Sequence, residues 1–218
     1  MITENYSVFF QELEKNNSKE WFHGHKKEYE NDVKKPFLKL LEALIPELLK
    51  LEPTIPTNPK DALFRINRDI RFTKDKTPYN TLLKAGFSPG GKKSKLPGFY
   101  LAISADSIHV GGGLFNLKGT DLKTVRTLIS ENTDEFKTVV NSKLFVSSFQ
   151  SLKGEQAKRL DKTFQPVIEK TSYIANKQFY AMQELPLIDF INTDKIFDTI
   201  LCSFKAINPL NQFLKQAF

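Results

Sequence analysis

The chain has 218 residues, of which 40% are hydrophobic, 26% charged and 12% aromatic, and it carries a formal net charge of +7. That balance excludes a disordered chain, and one cysteine, Cys202, excludes an internal disulfide framework or a cysteine-based zinc site and points to a reducing compartment. The first residues lack a basic start followed by an apolar run, and no stretch has the length and apolarity of a transmembrane helix, so the expectation is a cytoplasmic protein with no membrane partner, folded as one domain over residues 1–218.

Tyr6, Phe9, Phe10 and Leu13 recur at helical spacing and stop at Asn16-Asn17, whose side chains compete for backbone hydrogen bonds. Ser18 reads as the N-cap of a second helix, from Lys19 toward Asn31, with Trp21, Phe22, His25 and Tyr29 on neighbouring turns. Pro36 suits the first turn of a third, whose stripe runs through Phe37, Leu40, Leu41, Leu44, Ile45, Leu48 and Leu49, with a kink expected at Pro46. A Pro-rich connection over 52–59 ends this helical region of residues 1–52, and residues 60–115 are expected to be mainly strand.

Within 64–72, Phe64, Ile66, Ile70 and Phe72 fall on one face of an extended chain and Arg65, Asn67, Asp69 and Arg71 on the other, with Arg68 out of step. Residues 100–104 and 108–110 predict a hairpin across Ala105-Asp106-Ser107, ending at Gly111, Gly112 and Gly113, where another backbone or a ligand can come close. Residues 120–218 are mixed: a helix over 121–130 capped by Thr120, a short one capped by Thr133, a strand over 177–183, and a closing helix through Ile196, Ile200 and Phe204 interrupted near Pro209. Cys202, among apolar neighbours, is expected in the core. The fold class is α+β, an antiparallel sheet packed against helices from the N- and C-terminal parts of the chain.

The charge is local. Residues 60–95 hold ten Lys and Arg against three Asp, a surplus of seven, and the other 22 basic and 22 acidic residues cancel. Arg65, Arg68, Arg71, Lys74 and Lys76 crowd one run with Asp69 and Asp75 among them, and like charges so concentrated need a counter-anion. In one reading Asp69 bridges two arginines and Asp75 closes the turn before Thr77-Pro78, giving a structural network that serves a protein partner. In another the cations bind a small anionic ligand, a phosphate or a carboxylate, with Tyr79 nearby, backbone N–H groups of Gly111, Gly112 and Gly113 as a roof, and help from Arg126.

Catalysis on a phosphorylated compound is a variant of that second reading, with Asp69 or Asp75 as base and Tyr79 as proton donor, although an Asp among arginines is a poor base at neutral pH. A further reading is nucleic-acid binding by Lys92, Lys93 and Lys95, with Phe72, Tyr79 or Tyr100 stacking on bases. His23 and His25, two apart on a helix, point to different sides and no carboxylate converges on them, so no metal or other cofactor is expected. Gly111, Gly112 and Gly113 lack the spacing of a dinucleotide fingerprint.

Several of these residues form an ordered series: Asn16-Asn17 with Glu20-Trp21-Phe22, Phe64-Arg65 with Arg68-Asp69-Ile70-Arg71-Phe72, Lys74 through Tyr79, Pro97-Gly98-Phe99-Tyr100, Val110 through Gly113, and Arg126. In this the chain resembles, over nearly its whole length, the uncharacterised bacterial and fungal family catalogued as domain of unknown function two-four-six-one. The resemblance implies no activity and no catalytic residue. It directs attention to the segment that charge singles out, and it places no fixed histidine at His23, His25 or His109.

Overall fold

A computed structural model describes residues 1–218. Helix α1 (Glu4–Lys15) stops at Asn16, whose amide and Nδ2 both return to the Glu12 carbonyl. Ser18 then caps α2 (Lys19–Gly24), its Oγ accepting from the Trp21 amide at 3.2 Å. The single helix expected toward Asn31 is broken at His25; α3 (Lys26–Glu28) and a π-helical segment (Tyr29–Lys34) lead into α4 (Lys35–Leu51), which has Pro36 in its first turn and continues through Pro46. A short α5 (Pro59–Ala62) follows, capped by Asn58.

The sheet has four antiparallel strands in chain order: β1 (Leu82–Phe87), β2 (Gly98–Ser104), β3 (Ser107–Leu114) and β4 (Phe179–Pro186). Helices α6 (Gly119–Glu131), α7 (Thr133–Val140) and α8 (Lys143–Phe149) fill the long connection before β4, and α9 (Lys195–Lys215) ends the fold. The fold is therefore α+β, with the antiparallel sheet and the helices in the expected relation. No helix is long and apolar enough to cross a membrane.

Four local expectations are corrected. Residues 64–81 form no strand; only isolated bridges at Leu63–Ala85 and Asn67–Tyr79 remain, because Asp69 and Asp75 accept from the amides two residues on, Arg71 and Thr77, and these local turns compete with a ladder. Neither mid-chain helix uses its expected cap: α6 begins at Gly119 after Lys118, and α7 begins at Thr133 itself, whose hydroxyl donates to the Ile129 carbonyl at 2.9 Å. Helix α9 runs unbroken through Pro209, since that residue is exposed, and buried Phe204, Ile207, Leu210 and Phe213 hold both halves on the core against a proline cost of about 3 kcal/mol. On the same helix Cys202 faces outward and is exposed, while Leu201 and Ser203 on either side are buried.

Register sorts the sheet into two faces. Leu83, Ala85 and Phe87 on β1 pair across to Ile103, Leu101 and Phe99 on β2, and these in turn to Ile108, Val110 and Gly112 on β3. This is the core face, on which α9 lies, with the Phe204 ring 5.2 Å from that of Phe99 and 6.2 Å from that of Phe87. Gly112 points into it with no room for a Cβ, which would strike the Gly98 carbonyl and come within 3.3 Å of Asn211 Nδ2 on α9. Helix α1 ties down the β2–β3 hairpin, since Tyr6 Oη donates to the Ile103 carbonyl at 3.0 Å and the Ser7 hydroxyl to that of Ala105.

Candidate functional site

The residues that alternate with the core set form the outer face of the sheet, and they are of a different kind. Gly86 pairs with Tyr100, Tyr100 with Gly111, and Gly113 with Tyr180, so each tyrosine stands beside a residue without a side chain. That leaves room for rings to lie along the sheet. Phe115, just past β3, stacks on Tyr180 with centroids 4.2 Å apart and reaches Tyr100 at 5.9 Å. At the other edge the Phe64 ring covers Gly86, where a Cβ would meet it at 3.2 Å. Phe64, Tyr100 and Phe115 line a cleft of about 250 Å³, closed on one side by the loop that joins β1 to β2.

That loop supplies charge. Gly90 and Gly91 adopt φ of +77° and +98°, a conformation that glycine accepts at little cost, and the chain then turns back so that Ser88, Lys92, Ser94 and Lys95 line the cleft. The amides of Gly90, Lys92 and Lys93 have no hydrogen-bond partner. Lys92 donates to the Leu63 carbonyl at 2.5 Å and stands over the Phe64 ring together with Lys84; neither lysine meets a carboxylate. Lys95 does meet one, Asp121 at 3.2 Å, and it also lies over the Phe218 ring. Lys93 is exposed and free. The cleft is thus an aromatic surface rimmed by cations in excess.

The run 65–79 is built differently. Arg68 Nη1 meets Asp75 at 2.5 Å and also donates to the Thr77 hydroxyl. Asp75 in turn accepts from the Thr77 amide, and that bond, then those from Arg68 and the Thr77 hydroxyl, hold its carboxyl at about 2. The Arg71 side chain grips Asp69 through two nitrogens, at 2.7 and 2.9 Å, and with its own amide holds that carboxyl at about 2 as well. Lys76 donates to the Ile70 carbonyl. Arg65 and Lys74 make no ion pair or side-chain hydrogen bond, though Arg65 lies near enough to Asp69 to help lower its pKa.

A cavity of about 390 Å³ beside this run is lined by Glu14, Asn17, Arg68, Asp75 and Tyr79 among others. Tyr79 is 5% exposed, stacked on Phe22 at 4.1 Å, and its amide and carbonyl are both bonded to the Asn17 side chain. It is therefore not among the exposed aromatics, as a base-stacking Tyr79 would have to be; burial beside Phe22 explains why. Of the other two rings named for stacking, Phe72 is 91% exposed and Tyr100 half-buried.

The structure separates residues that the run had grouped. Gly111, Gly112 and Gly113 are inside β3, between β2 and β4, and Gly113 lines the cleft that Lys92 and Lys95 share, not the cavity of Arg68 and Asp75. Arg126 is 8% exposed in α6 and donates from Nη2 to the carbonyls of Ala175 and Asn176, both at 3.1 Å; burial pushes its pKa down. Phe115 lines the cleft, Tyr180 stacks on Phe115 and Lys84 stands over the Phe64 ring, although nothing in their local sequence marks them. Only the register of β1 to β4 sets them beside Tyr100.

The family described as a conserved hypothetical protein (DUF2461) matches residues 5–213, and the chain belongs to that family. No curated protein matches it.

Proposed function

We propose that this member of the family binds single-stranded nucleic acid on the outer face of its sheet, with bases on Tyr100, Phe115 and Tyr180 and phosphates on the loop of residues 88–95. The observation that carries this reading is the pair of rings Tyr100 and Phe115, the second of them backed by Tyr180, next to Lys92 and Lys95 in one cleft. Aromatic platforms beside basic residues suit unpaired bases, because every base has a π-face to offer, whereas in a duplex those faces are already stacked. The free amides of Gly90, Lys92 and Lys93 add donors of the kind that cradle phosphate oxygens. A cytoplasmic location is part of the proposal, in keeping with the lone cysteine.

The test is fluorescence anisotropy with labelled single- and double-stranded oligonucleotides at two salt concentrations. Single strands are expected to bind, and Lys92, Lys93 and Lys95 changed together to Ala are expected to weaken binding and reduce the salt slope by about 2–3. Equal binding of the triple variant and the wild type would remove the loop from the interface.

A second reading keeps the small-anion site at the 65–79 run. It is favoured by Arg65 and Lys74, which form no ion pair; the neighbouring cavity, lined by the carboxylates Glu14 and Asp75 beside the paired Arg68, adds no support. Catalysis there gains no support from Asp69 or Asp75, since a carboxyl held at about 2 is a weak base at neutral pH. A thermal-shift screen with phosphates and small carboxylates separates the two: a stabilising small anion whose effect vanishes in Arg65→Ala but survives in Tyr100→Ala belongs to the second site.

A further inference from the structure

Of the 19 phenylalanines only Phe72, Phe115 and Phe218 are exposed, and each lies beside a cation or in the cleft that cations rim. Phe115 lines the cleft and Phe218 lies against Lys95 at its border. Phe72 is the outlier, 91% exposed at the tip of the loop of residues 68–78 with the Arg71 guanidinium 5.5 Å from its ring. The loop is braced behind that ring by Arg68, Asp75 and Thr77, by Lys76 on the Ile70 carbonyl at 2.8 Å and by the Thr73 hydroxyl on the Asp75 carbonyl at 2.7 Å. An apolar ring is thus held in water by a preformed frame, so a partner that covers it need not first order the loop.

The chain also connects this loop to the cleft. Leu63 bridges Ala85, the Phe64 amide donates to the Lys84 carbonyl, the Asn80 amide to that of Ile66 and the Arg68 amide to that of Pro78. Residues 63 and 64 therefore lie on the edge of β1, and 66–68 pair with 78–80 just before it, so the chain runs from the cleft wall at Phe64 to the base of the loop at Arg68, about 13 Å at ~3.3 Å per residue. Lys84 and Arg65 occur along this path, and Lys74 lies beyond; none of them forms a direct ion pair, although Arg65 lies near enough to Asp69 to help lower its pKa.

We infer that the loop of residues 68–78 is a second contact for the same nucleic-acid strand, with Phe72 stacking on a base and Arg65 and Lys74 meeting phosphates; this rests on the function proposed above. The bound strand then extends beyond the cleft along the edge of β1. Its partner at the loop is a nucleic acid and not a lipid surface, because the cations continue along the edge to a cleft built for rings.

The experiment measures binding of a dinucleotide and of an oligomer of about ten nucleotides, within the ~4–16 nucleotides typical of single-strand sites, to the wild type, Phe72→Ala, Phe72→Trp and Tyr100→Ala, with phosphatidylserine vesicles as a further probe. Melting temperatures of both Phe72 variants are expected to match the wild type, since the ring touches little. Phe72→Ala is expected to weaken the oligomer by about fivefold or more while leaving the dinucleotide unchanged, and Phe72→Trp to restore the oligomer. If Tyr100→Ala weakens both ligands and Phe72→Ala neither, the cleft binds and the loop does not, which overturns this inference alone. If neither ligand binds the wild type, the proposed function and this inference fall together. Vesicle binding lost in Phe72→Ala, with oligomer binding unchanged, would make the loop a lipid contact and also overturn it.

Discussion

The run 65–79 and the cleft around Tyr100 are both rich in cations, and they use them in opposite ways. In the run Arg68 and Arg71 are neutralised within a few residues by Asp75 and Asp69, so charge is spent on shaping a loop. Around the cleft, Lys84, Lys92 and Lys93 face no carboxylate, and the rings beside them come from three separate parts of the chain. The density of charge along a sequence is therefore a poor guide to the charge available to a ligand. What counts is where the counter-ions fall: Asp69 closes on Arg71 two residues away and Asp75 on Arg68 seven residues away, while Lys74, beside Asp75 in the chain, stays unpaired.

The largest effect that would break this contrast is expected from Gly111→Val. A Cβ there strikes the Ala181 carbonyl, so β3 and β4 must part, at a cost of about 3 kcal/mol or more in urea unfolding and with loss of oligonucleotide binding. Next come Tyr100→Ala and Phe115→Ala, each expected to lower oligonucleotide affinity by about 1–3 kcal/mol, read by anisotropy. A smaller loss would mean that the rings merely pack against one another.

Arg68→Ala tests the other side of the comparison. It frees Asp75 and Thr77 and is expected to lower Tm by roughly 2–4 °C while changing oligonucleotide affinity much less than Tyr100→Ala does. A loop that melts without Arg68 identifies the clamp; a large loss of affinity with Tm unchanged would instead make Arg68 a ligand contact. The smallest effect is Lys93→Ala, with Tm unchanged and the salt slope reduced by about 1.

Protonation sharpens the same point. Because the Thr77 amide and Arg68 depress the Asp75 carboxyl to about 2 in the folded protein, below an ordinary value of about 3.9, its contribution is fully present above that ordinary value and is lost as pH falls through about 2. A carboxyl titration followed by NMR should place the Asp75 midpoint near 2, and one near 4 would mean that the clamp does not persist in solution. Glu52 behaves alike at the α4–α9 junction: burial would raise its pKa, but Lys215 at 2.7 Å and the hydroxyl and amide of Thr54 bring it below the usual range, so that bridge too is lost only on acidification.

Much of the architecture was legible because local signals agreed with the global fold. The stop at Asn16, the cap at Ser18, the stripe of α4 and the β2–β3 hairpin all depend on residues within a few positions of one another. Misreadings arose where a tertiary term outweighed a local one. Pro209 does not break α9 because a continuous buried face spans it, and 64–72 does not become a strand because Asp69 and Asp75 close turns first. The N-terminal Asn17 and Tyr79 are joined by paired hydrogen bonds across 62 positions, a link that no spacing argument reveals.

By itself the sequence determined the fold class, the ends of several helices, the site of the excess charge and the need for close backbone approach at Gly111, Gly112 and Gly113. These follow from periodicity, side-chain competition for backbone donors and the absence of a Cβ, all of which act over short range. The tertiary structure alone decided which cations remain unmatched and which rings gather around Tyr100, because Phe64, Phe115 and Tyr180 meet it only through strand register and through the return of the chain to β4 after three intervening helices. A ligand surface assembled from distant strands depends on side-chain positions that short-range rules do not set.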